Sequence, residues 1–473
     1  MTMSIARLFF NLYQVEPERV EPLTQAGSSR RYYRLAAPTV GTIIGVEGVD
    51  HKENEAFIYL SHQLADAGCN VPAVLAVSED RMSYLISDLG DVALASCLDN
   101  KDLLKKAMTQ LAIAHTFATH GMNWDICFPV EAMDTQAALW DLNYFKYSFL
   151  NTEGITYSEP LLEIDFSRLA ERCDQLSNEQ GVLMLRDFQS RNVMVHEDNT
   201  YLIDYQGARK GPAAYDVASF LWQAKARFPQ SLRDELTDFY LDEVSRLGGG
   251  TSEREVFHRY VQEMALLRTL QVLGAYGLRG RFERKPHFEQ SIPAAIENLS
   301  HLITDKIKQE YPYLSEILSK VIDKEREKQN DKPQDNVLTV RVTSFSFKKG
   351  YPADPSGNGG GFVFDCRAMD NPGRYEPYKK LTGLDSPVRN FLEEKGEIQL
   401  LLTDAEHIVD RAVDNYRDRG FSSLCVSFGC TGGQHRSVYG ADAMARHLNI
   451  KYPDIRVILT HREQGITEIF NPS

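Results

Sequence analysis

The stretch of residues 183–207 constrains the fold of this chain more than any other. A short apolar segment leads into a polar loop that contains Asp187 and Asn192, and a second apolar segment follows the loop. After a turn, a third apolar segment ends in Asp204, which is followed by Tyr-Gln-Gly. Short apolar runs separated by polar turns predict buried strands. The stretch therefore predicts a strand–loop–strand–turn–strand unit that carries two carboxylates and one amide at its strand ends.

These three side chains are the ones that phosphoryl transfer to a hydroxyl group requires. One carboxylate must accept the hydroxyl proton, while an amide and a second carboxylate hold Mg²⁺ against the phosphates of a nucleotide. We assign Asp187 as the base, and Asn192 and Asp204 as the metal ligands. The structural alternative is two buried strands joined by a polar turn with no catalytic role.

The spacing resembles the catalytic loop and the metal-binding triplet of kinases. It is more similar to the aminoglycoside phosphotransferase superfamily, because Tyr215-Asp-Val-Ala-Ser-Phe-Leu follows Asp204 without an activation segment. Within that superfamily, Arg186-Asp-Phe-Gln-Ser-Arg-Asn and Asp204-Tyr-Gln-Gly-Ala-Arg-x-Gly-Pro resemble the anomeric N-acetylmuramate/N-acetylglucosamine kinases of cell-wall recycling. The chain departs from the superfamily pattern at Leu185, where the loop usually has His.

The resemblance implies a kinase-like α+β bilobal fold over residues 1–322. A β-rich N-lobe would cover about residues 1–88 and a helical C-lobe about residues 89–322. It also implies ATP and Mg²⁺ as cofactors and a small sugar as the acceptor.

A polar loop ahead of this stretch is the candidate phosphate-binding segment. Its small residues would let backbone N–H groups approach a phosphate, and its arginines would supply positive charge. A plain β-hairpin explains the same pattern equally well, but Gly-Ser-x-Arg-x-Tyr-x-Arg also resembles the nucleotide loop of these sugar kinases. The candidate residues are Gly27, Ser28, Ser29, Arg30, Arg31 and Arg34.

Two further features concern the nucleotide. The predicted strand at residues 42–47 lacks the phosphate-binding Lys of most kinases, and the nearest Lys is Lys52. Glu55, on the helix predicted next, is a candidate partner for a loop Arg or a solvated surface charge. The resemblance implies that the backbone around Asp88-Leu-Gly binds the adenine edge, which involves Ile86, Ser87, Asp88 and Leu89.

The acceptor pocket is the least defined part of the prediction. Residues 134–150 carry aromatic side chains at helical spacing, which fits core packing or one wall of a pocket. In the second case Asp141 and Asn143 would bind sugar hydroxyl groups, and Arg191 of the catalytic loop would join them.

Composition limits the class of protein. The formal net charge of −14 argues against wholesale coating of nucleic acid, which needs a basic surface. Seven scattered Cys residues fit reduced thiols rather than a disulfide framework. The apolar run at the N-terminus is too short for a signal peptide, and no stretch approaches the roughly 20 apolar residues that span a membrane. We expect a cytoplasmic protein.

The charged segment 323–336 predicts a linker, and a second, smaller α/β domain is expected over residues 337–473. Within it, residues 424–438 read as a buried strand, a loop with three Gly and the start of a helix. Backbone N–H groups and the dipole of a helix N-terminus make such a turn an anion site. The Cys430-x5-Arg436 spacing is also that of the cysteine-phosphatase loop, in which a thiolate attacks phosphate.

Longer motifs in this domain resemble the C-terminal domain of the RNase adapter protein RapZ over about residues 340–473. They include Phe364-Asp-Cys-Arg, Leu381-Thr-Gly-Leu-Asp-x-Pro-Val and Gly429-Cys-Thr-Gly-Gly-Gln-His-Arg-Ser-Val. That resemblance implies binding of a phosphorylated amino sugar and, in some members, of small RNA. The basic C-terminal tail of the RNA-binding members is missing here. The residues that would hold the phosphosugar are Cys430, Thr431, Gly432, Gly433, His435 and Arg436.

Both resemblances point to amino-sugar metabolism. The sequence thus predicts an ATP-dependent sugar kinase of peptidoglycan recycling with a phosphosugar-sensing C-terminal domain. The alternative is an inactive kinase-like scaffold whose RapZ-type domain acts as an adapter for RNA or a ribonuclease. Oligomeric state is not predicted.

Overall fold

The chain divides into two compact units, Met1–Gln329 and Asn330–Ser473. The computed structural model describes residues 3–23, 30–250, 252–330, 337–352, 354 and 361–472. Of the candidate nucleotide-loop residues, Gly27, Ser28 and Ser29 lie outside these ranges.

The first unit begins with a five-stranded antiparallel sheet in the strand order β1-β2-β3-β5-β4. The central strands carry apolar residues that are buried on both faces, where two helices cover the sheet. The elements are α1 (Met3–Tyr13), β1 (Arg19–Pro22), β2 (Arg31–Ala37), β3 (Gly41–Glu47), α2 (His51–Asp66), β4 (Val74–Val77) and β5 (Ser83–Ser87). Asp50 caps the N-terminus of helix α2, because its side chain accepts the Glu53 N–H, a common N-cap interaction.

Helices dominate the rest of this unit. They are α3 (Lys101–Ile113), α4 (Thr135–Ser148), α5 (Glu159–Gln180), α6 (Ala213–Leu221), α7 (Gln230–Arg246), α8 (Arg254–Tyr276), α9 (Pro286–Glu289), α10 (Ile292–Leu302), α11 (Asp305–Glu310) and α12 (Pro312–Asn330). Two short hairpin-like pairs lie among them, formed by β6 (Gly181–Met184) with β9 (Arg209–Pro212) and by β7 (Val193–His196) with β8 (Asn199–Leu202).

Helix α8 lies in the middle of the helical lobe, packed against α4 and α6. A Cβ atom at Gly274 would come within 2.8 Å of the backbone of α4 at Phe145, so the two helices approach more closely than a side chain would permit. This close packing fixes the position of α8, which bears on the site described below.

The second unit is a mixed five-stranded sheet in the order β11-β12-β10-β13-β14, in which only β14 runs antiparallel to its neighbour. Its strands are β10 (Thr339–Ser346), β11 (Phe362–Asp365), β12 (Ser423–Cys430), β13 (Arg456–His461) and β14 (Ile466–Phe470). Its helices are α13 (Ser386–Lys395), α14 (Glu397–Asp418) and α15 (Arg436–Lys451).

The predicted fold class is confirmed: a kinase-like lobe pair is followed by a smaller α/β unit. Helix α12 ends at Asn330, inside the segment 323–336 that was predicted to hold a helix end and a linker, and Val321 and Ile322 are buried in its preceding turn. One local expectation needs correction. The expected loop at residues 27–35 is a strand from Arg31 onward, since the two Tyr and Leu35 pair with β3. In the part of the chain that is described, no helix has the length and apolarity needed to cross a membrane.

Candidate functional site

The hairpin of β7 and β8 brings the two predicted metal ligands to the same end. Val193 pairs with Leu202 in an antiparallel register, so the residue before β7 faces the residue after β8. The Ile203 N–H donates to the carbonyl oxygen of Asn192 at 3.0 Å. Asn192 and Asp204 therefore lie close together at the open end of the hairpin, although they are twelve residues apart in the sequence.

The same end of the hairpin also holds the predicted base. The Asn192 side-chain amide donates from Nδ2 to the backbone carbonyl of Asp187 at 2.9 Å. This bond fixes the amide so that its oxygen is left to accept or to ligate. The loop thus links Asp187 directly to one candidate metal ligand.

Asp204 has a left-handed backbone with φ 61°, which is uncommon for a residue other than Gly. Its Oδ1 accepts a hydrogen bond from Gln206 Nε2 at 3.0 Å, while Gln206 Oε1 is buried without a hydrogen-bond partner. Carboxylate and amide oxygens, completed by phosphates and water, are the donors that Mg²⁺ prefers. The side chains of Asn192 and Asp204 supply oxygen donors of these two kinds, so the two residues fit that ion.

Arg268 of α8 holds the candidate base. Its Nη2 donates to Asp187 Oδ1 at 2.7 Å, and the Asp187 side chain is 41% exposed. Burial alone raises the pKa of this carboxyl, but Arg268, Arg186 and Arg191 outweigh it and hold the pKa below its usual range. Asp187 is therefore ionised at neutral pH, and no described residue donates to its Oδ2.

Arg268 was not predicted to belong to the site. It is a lone charged residue in the apolar run of residues 264–270, where it is almost fully buried. Charged residues are rarely buried unless they are paired. A single Arg within an apolar helical run was therefore the sequence signal that could have indicated a buried carboxylate partner for Arg268.

Asp216, on α6, binds the backbone at the start of the catalytic loop. It is completely buried and accepts the N–H groups of Leu185 at 2.5 Å and Arg186 at 2.8 Å. His115 from the helix after α3 also contacts Asp216, at 3.1 Å. The loop that lacks its usual His at position 185 is thus tied to a His from another part of the lobe.

Asp141, one of the predicted acceptor-binding residues, is engaged by another residue of the protein. Asp141 is buried and accepts a hydrogen bond from Arg186 Nη2 at 2.9 Å. Burial raises the pKa of Asp141, and it outweighs the opposing effect of Arg186 and Arg268. Asn143 is half-buried on the same helix. Their role in acceptor binding stays a prediction.

A pocket of about 280 Å³ opens beside the catalytic loop, and Arg191, the third predicted acceptor residue, lines it. The pocket meets the site at Arg268, the partner of Asp187. Its walls combine aromatic rings with cationic and neutral polar groups. They include Gln189, Ser190, Trp222, Gln223, Lys225, Thr269, Tyr276, His287, Phe288, Ser291 and Asn298.

On the nucleotide side, Arg30 is completely buried. Its Nη2 lies 3.2 Å from Glu53 Oε1 and donates to the Glu53 carbonyl at 3.3 Å. The partner is Glu53 rather than Glu55, whose carboxylate lies near His51 and Arg81. A buried cation–carboxylate pair thus joins the start of β2 to helix α2.

Other predicted nucleotide residues interact with one another. Arg34 Nε donates to Asp88 at 2.6 Å and its Nη2 donates to Asp91 at 2.9 Å, so its guanidinium is engaged by two carboxylates. Ser87 exchanges hydrogen bonds with the backbone of Ala73. Ile86 and Leu89 are buried, and Arg31 is exposed on β2. The adenine edge at residues 86–89 stays a prediction.

The second unit carries the other candidate site, at the loop between β12 and α15. Cys430 Sγ accepts the Gly433 N–H at 3.2 Å and lies 3.1 Å from Ser437 Oγ. Burial alone raises the pKa of this thiol, but the donors from Ser437, Gln434 and Gly433 outweigh it and lower the pKa. The loop stabilises negative charge at its centre, as expected for an anion site at a helix N-terminus.

The charged residues of this loop are held by the protein itself. Arg436 Nη1 donates to the carbonyls of Arg367 at 3.1 Å and Met369 at 2.7 Å, and His435 Nε2 lies 2.9 Å from the Tyr378 carbonyl. Both side chains are buried, whereas Thr431 and Gly432 are exposed. The open face of the loop is therefore made by Thr431 and Gly432.

Comparison with known proteins follows the same division of the chain. A family described as the phosphotransferase enzyme family matches residues 19–255, half of the chain, and the RapZ C-terminal domain matches residues 338–465. A nucleotide-binding protein of Acidithiobacillus ferrooxidans (strain ATCC 53993 / BNL-5-31) is 42% identical over 132 residues, which is 28% of this chain and 42% of that protein. A nucleotide-binding protein of Xanthomonas oryzae pv. oryzae (strain PXO99A) is 37% identical over 128 residues, or 27% and 43% of the two chains. The chain spans less than half the length of these relatives.

Solved structures resemble the first unit at low identity. Amicoumacin kinase, in a complex with AMP-PNP, Ca²⁺ and Ami, is 12% identical, with a TM-score of 0.48 over 63% of this chain and 93% of that one. A choline/ethanolamine kinase family protein from Mesorhizobium loti is 14% identical, with a TM-score of 0.45 over 66% and 98%. The chain belongs to the phosphotransferase enzyme family and carries a RapZ C-terminal domain.

Proposed function

We propose that the protein is an ATP- and Mg²⁺-dependent kinase that phosphorylates the anomeric hydroxyl group of N-acetylmuramate or N-acetylglucosamine in peptidoglycan recycling. The observation that carries the proposal is the ionised Asp187, whose Oδ2 has no donor among the described residues, beside the oxygen donors Asn192 and Asp204. A carboxylate base next to two oxygen ligands is the arrangement that phosphoryl transfer to a hydroxyl requires.

In the proposed reaction, the acceptor hydroxyl donates to Asp187 Oδ2. The hydroxyl oxygen attacks the γ-phosphorus of ATP, the bond from that phosphorus to the β,γ-bridging oxygen breaks, and ADP leaves. The hydroxyl proton passes to Asp187. Mg²⁺, held by Asn192 and Asp204, would neutralise phosphate charge when bound.

Arg30 supports the nucleotide side of this proposal. Strand β3 has no Lys, yet the Arg30–Glu53 pair joins a cation to helix α2 in the same lobe. The Arg30 guanidinium lies 5.5 Å from the centre of the Phe57 ring, and that ring stacks at 5.2 Å on Tyr205, the residue after Asp204, so the pair lies near the candidate metal ligand Asp204. We assign Arg30 the positioning role that the strand Lys has in most kinases.

For the second unit we propose binding of a phosphosugar at the loop from Cys430 to Arg436, with feedback on the kinase. The N–H groups around Cys430, the exposed Thr431 and Gly432, and the RapZ match support binding of a phosphate there. Hydrolysis by Cys430 is less well supported, because Arg436, the phosphate-binding residue of that chemistry, donates to backbone carbonyls.

The second candidate function is the inactive kinase-like scaffold with a RapZ-type adapter domain. Leu185 in place of the loop His favours it. The Asp216 and His115 contacts oppose it, because they hold the loop without that residue.

The test is ATP consumption by the full chain with Mg²⁺ and one acceptor at a time: N-acetylmuramate, N-acetylglucosamine, glucosamine, kanamycin or choline. We expect turnover on N-acetyl amino sugars alone. Turnover on kanamycin or choline only would overturn the acceptor class. ATP binding without turnover on any acceptor would support the scaffold function.

A further inference from the structure

The full charges among the residues that line the pocket beside the catalytic loop are all positive. Among the described residues that line it are three full cations, Arg191, Lys225 and Arg268, and none is Asp or Glu. Arg268 is neutralised by Asp187. The charge that remains at the pocket comes from Arg191 and Lys225.

Neither of these two cations is paired within the protein. Both are exposed, and in the described part of the chain neither has a carboxylate within 4.0 Å or a side-chain hydrogen bond. Arg191 does interact electrostatically with Asp187 and with Tyr276, so it lies between the reacting end and the aromatic wall. Two unpaired cations on one pocket create a local field that attracts an anion.

We propose that the acceptor carries an anionic group, a carboxylate, which Arg191 and Lys225 bind while its hydroxyl group reaches Asp187. The inference rests on the proposed kinase activity and narrows its substrate class to acidic sugars such as N-acetylmuramate. N-acetylglucosamine lacks that carboxylate, which N-acetylmuramate carries on its lactyl ether.

The remaining walls suit a single sugar ring. Trp222, Tyr276 and Phe288 supply aromatic surface, and Ser190, Ser291 and Asn298 supply neutral hydrogen-bonding groups. Trp222 is itself fixed, because the Arg233 guanidinium lies 3.7 Å from the centre of its ring. A volume of about 280 Å³ lies at the small end of small-molecule sites, which fits a monosaccharide.

The same charge disfavours the other acceptors of kinases with this fold. A cationic acceptor would meet Arg191 and Lys225 with no carboxylate of the pocket wall to balance it. Like-charge contact acts as a selection against the wrong partner. The charge of the pocket therefore favours anionic acceptors and disfavours cationic ones.

The first experiment compares two anionic acceptors, N-acetylmuramate and N-acetylglucosamine 6-phosphate, with two neutral ones, the methyl ester of N-acetylmuramate and N-acetylglucosamine. We expect kcat/KM to be about 10-fold or more higher for the free acid than for the ester, as loss of a charge-assisted hydrogen bond predicts. Equal values for acid and ester would overturn the inference. A higher value for N-acetylglucosamine 6-phosphate than for N-acetylmuramate would overturn the carboxylate and assign the anion as a phosphate.

The second experiment removes the charges one at a time. Lys225→Gln and Arg191→Gln are each expected to lower kcat/KM for N-acetylmuramate about 10- to 100-fold, mainly through KM for Lys225→Gln. With N-acetylglucosamine as the acceptor, Lys225→Gln should change kcat/KM less than about 3-fold, because no charged contact to this acceptor is lost. Arg227→Gln is the matched control, since Arg227 is exposed two residues from Lys225 and does not line this pocket.

A binding measurement separates recognition from catalysis. Calorimetry without ATP, in which Asp187 still neutralises Arg268, should give tighter binding of N-acetylmuramate than of its methyl ester, and Lys225→Gln should reduce the difference. If Lys225→Gln weakened the binding of N-acetylmuramate and of its methyl ester equally, the inference would be overturned, while the kinase proposal would stay intact. Absence of turnover on every N-acetyl amino sugar would instead remove the kinase proposal itself.

Discussion

Arg268 Nη2 donates to Asp187 Oδ1 at 2.7 Å, so a buried arginine from the central helix of the lobe holds one oxygen of the candidate base. The bond has two consequences. It fixes the direction of the carboxylate, and with Arg186 it keeps the pKa of Asp187 below its usual range. The other oxygen is left for the acceptor hydroxyl.

The first prediction concerns this pair. Because Arg268 lowers the pKa of Asp187, Arg268→Gln should raise it, and the carboxylate would then be protonated at a higher pH. The acidic limb of the kcat/KM profile should therefore move to higher pH in the variant. A limb that stays in place while kcat falls would mean that Arg268 acts on packing alone.

The second prediction tests Asp187 itself. Asp187→Asn removes the proton acceptor but preserves size, so kcat should fall by about 100- to 10,000-fold. The melting temperature should fall as well, because the buried Arg268 loses its counter-charge. Asp198→Asn is the control, since Asp198 is exposed on the turn between β7 and β8 and Asn also accepts its left-handed φ of 58°. Asp187→Asn protein with full turnover would exclude Asp187 as the base.

The third prediction concerns the thiol of the second unit. Hydrogen bonds from Ser437 and from backbone N–H groups lower the pKa of Cys430, whereas burial raises the pKa of Cys69, Cys127, Cys173, Cys366 and Cys425. Thiolate absorbance near 240 nm, followed against pH, should therefore show a step below the ordinary thiol value of 9.0.

Two variants identify the group that titrates. The step should be missing in Cys430→Ser, and it should move to higher pH in Ser437→Ala, because the thiolate loses a donor. An unchanged titration curve in Cys430→Ser would show that another group is responsible.

The sequence predicted the parts of the candidate site that are local in the chain. Asp187, Asn192 and Asp204 lie within eighteen residues, and the predicted order of strand, turn and strand in that stretch agrees with the hairpin of β7 and β8. The bilobal fold and the second unit followed from longer motifs.

What the sequence did not indicate depends on contacts between distant segments. Arg268 is 81 residues from Asp187, and Asp216 is 31 residues from Leu185. Glu53 rather than Glu55 pairs with Arg30, since the choice depends on how α2 is rotated against the sheet. The open pocket likewise arises from helices α8, α9 and α10, whose packing no local pattern specifies.

The last prediction concerns the Arg30–Glu53 pair. Arg30→Met leaves the Glu53 carboxylate without its cation in a largely buried place, so α2 should lose its fixed position and KM for ATP should rise about 10-fold or more. Arg7→Met, an exposed change on α1, should leave KM for ATP unchanged.

The double variant Arg30→Met/Glu53→Gln separates two possible roles of Arg30, positioning of α2 and direct contact with phosphate. If the pair acts by positioning α2, removing both charges should be less harmful than the sum of the single changes, because no unpaired charge remains. If Arg30 contacts phosphate directly, the double variant should be at least as impaired as Arg30→Met, and the positioning role would be wrong.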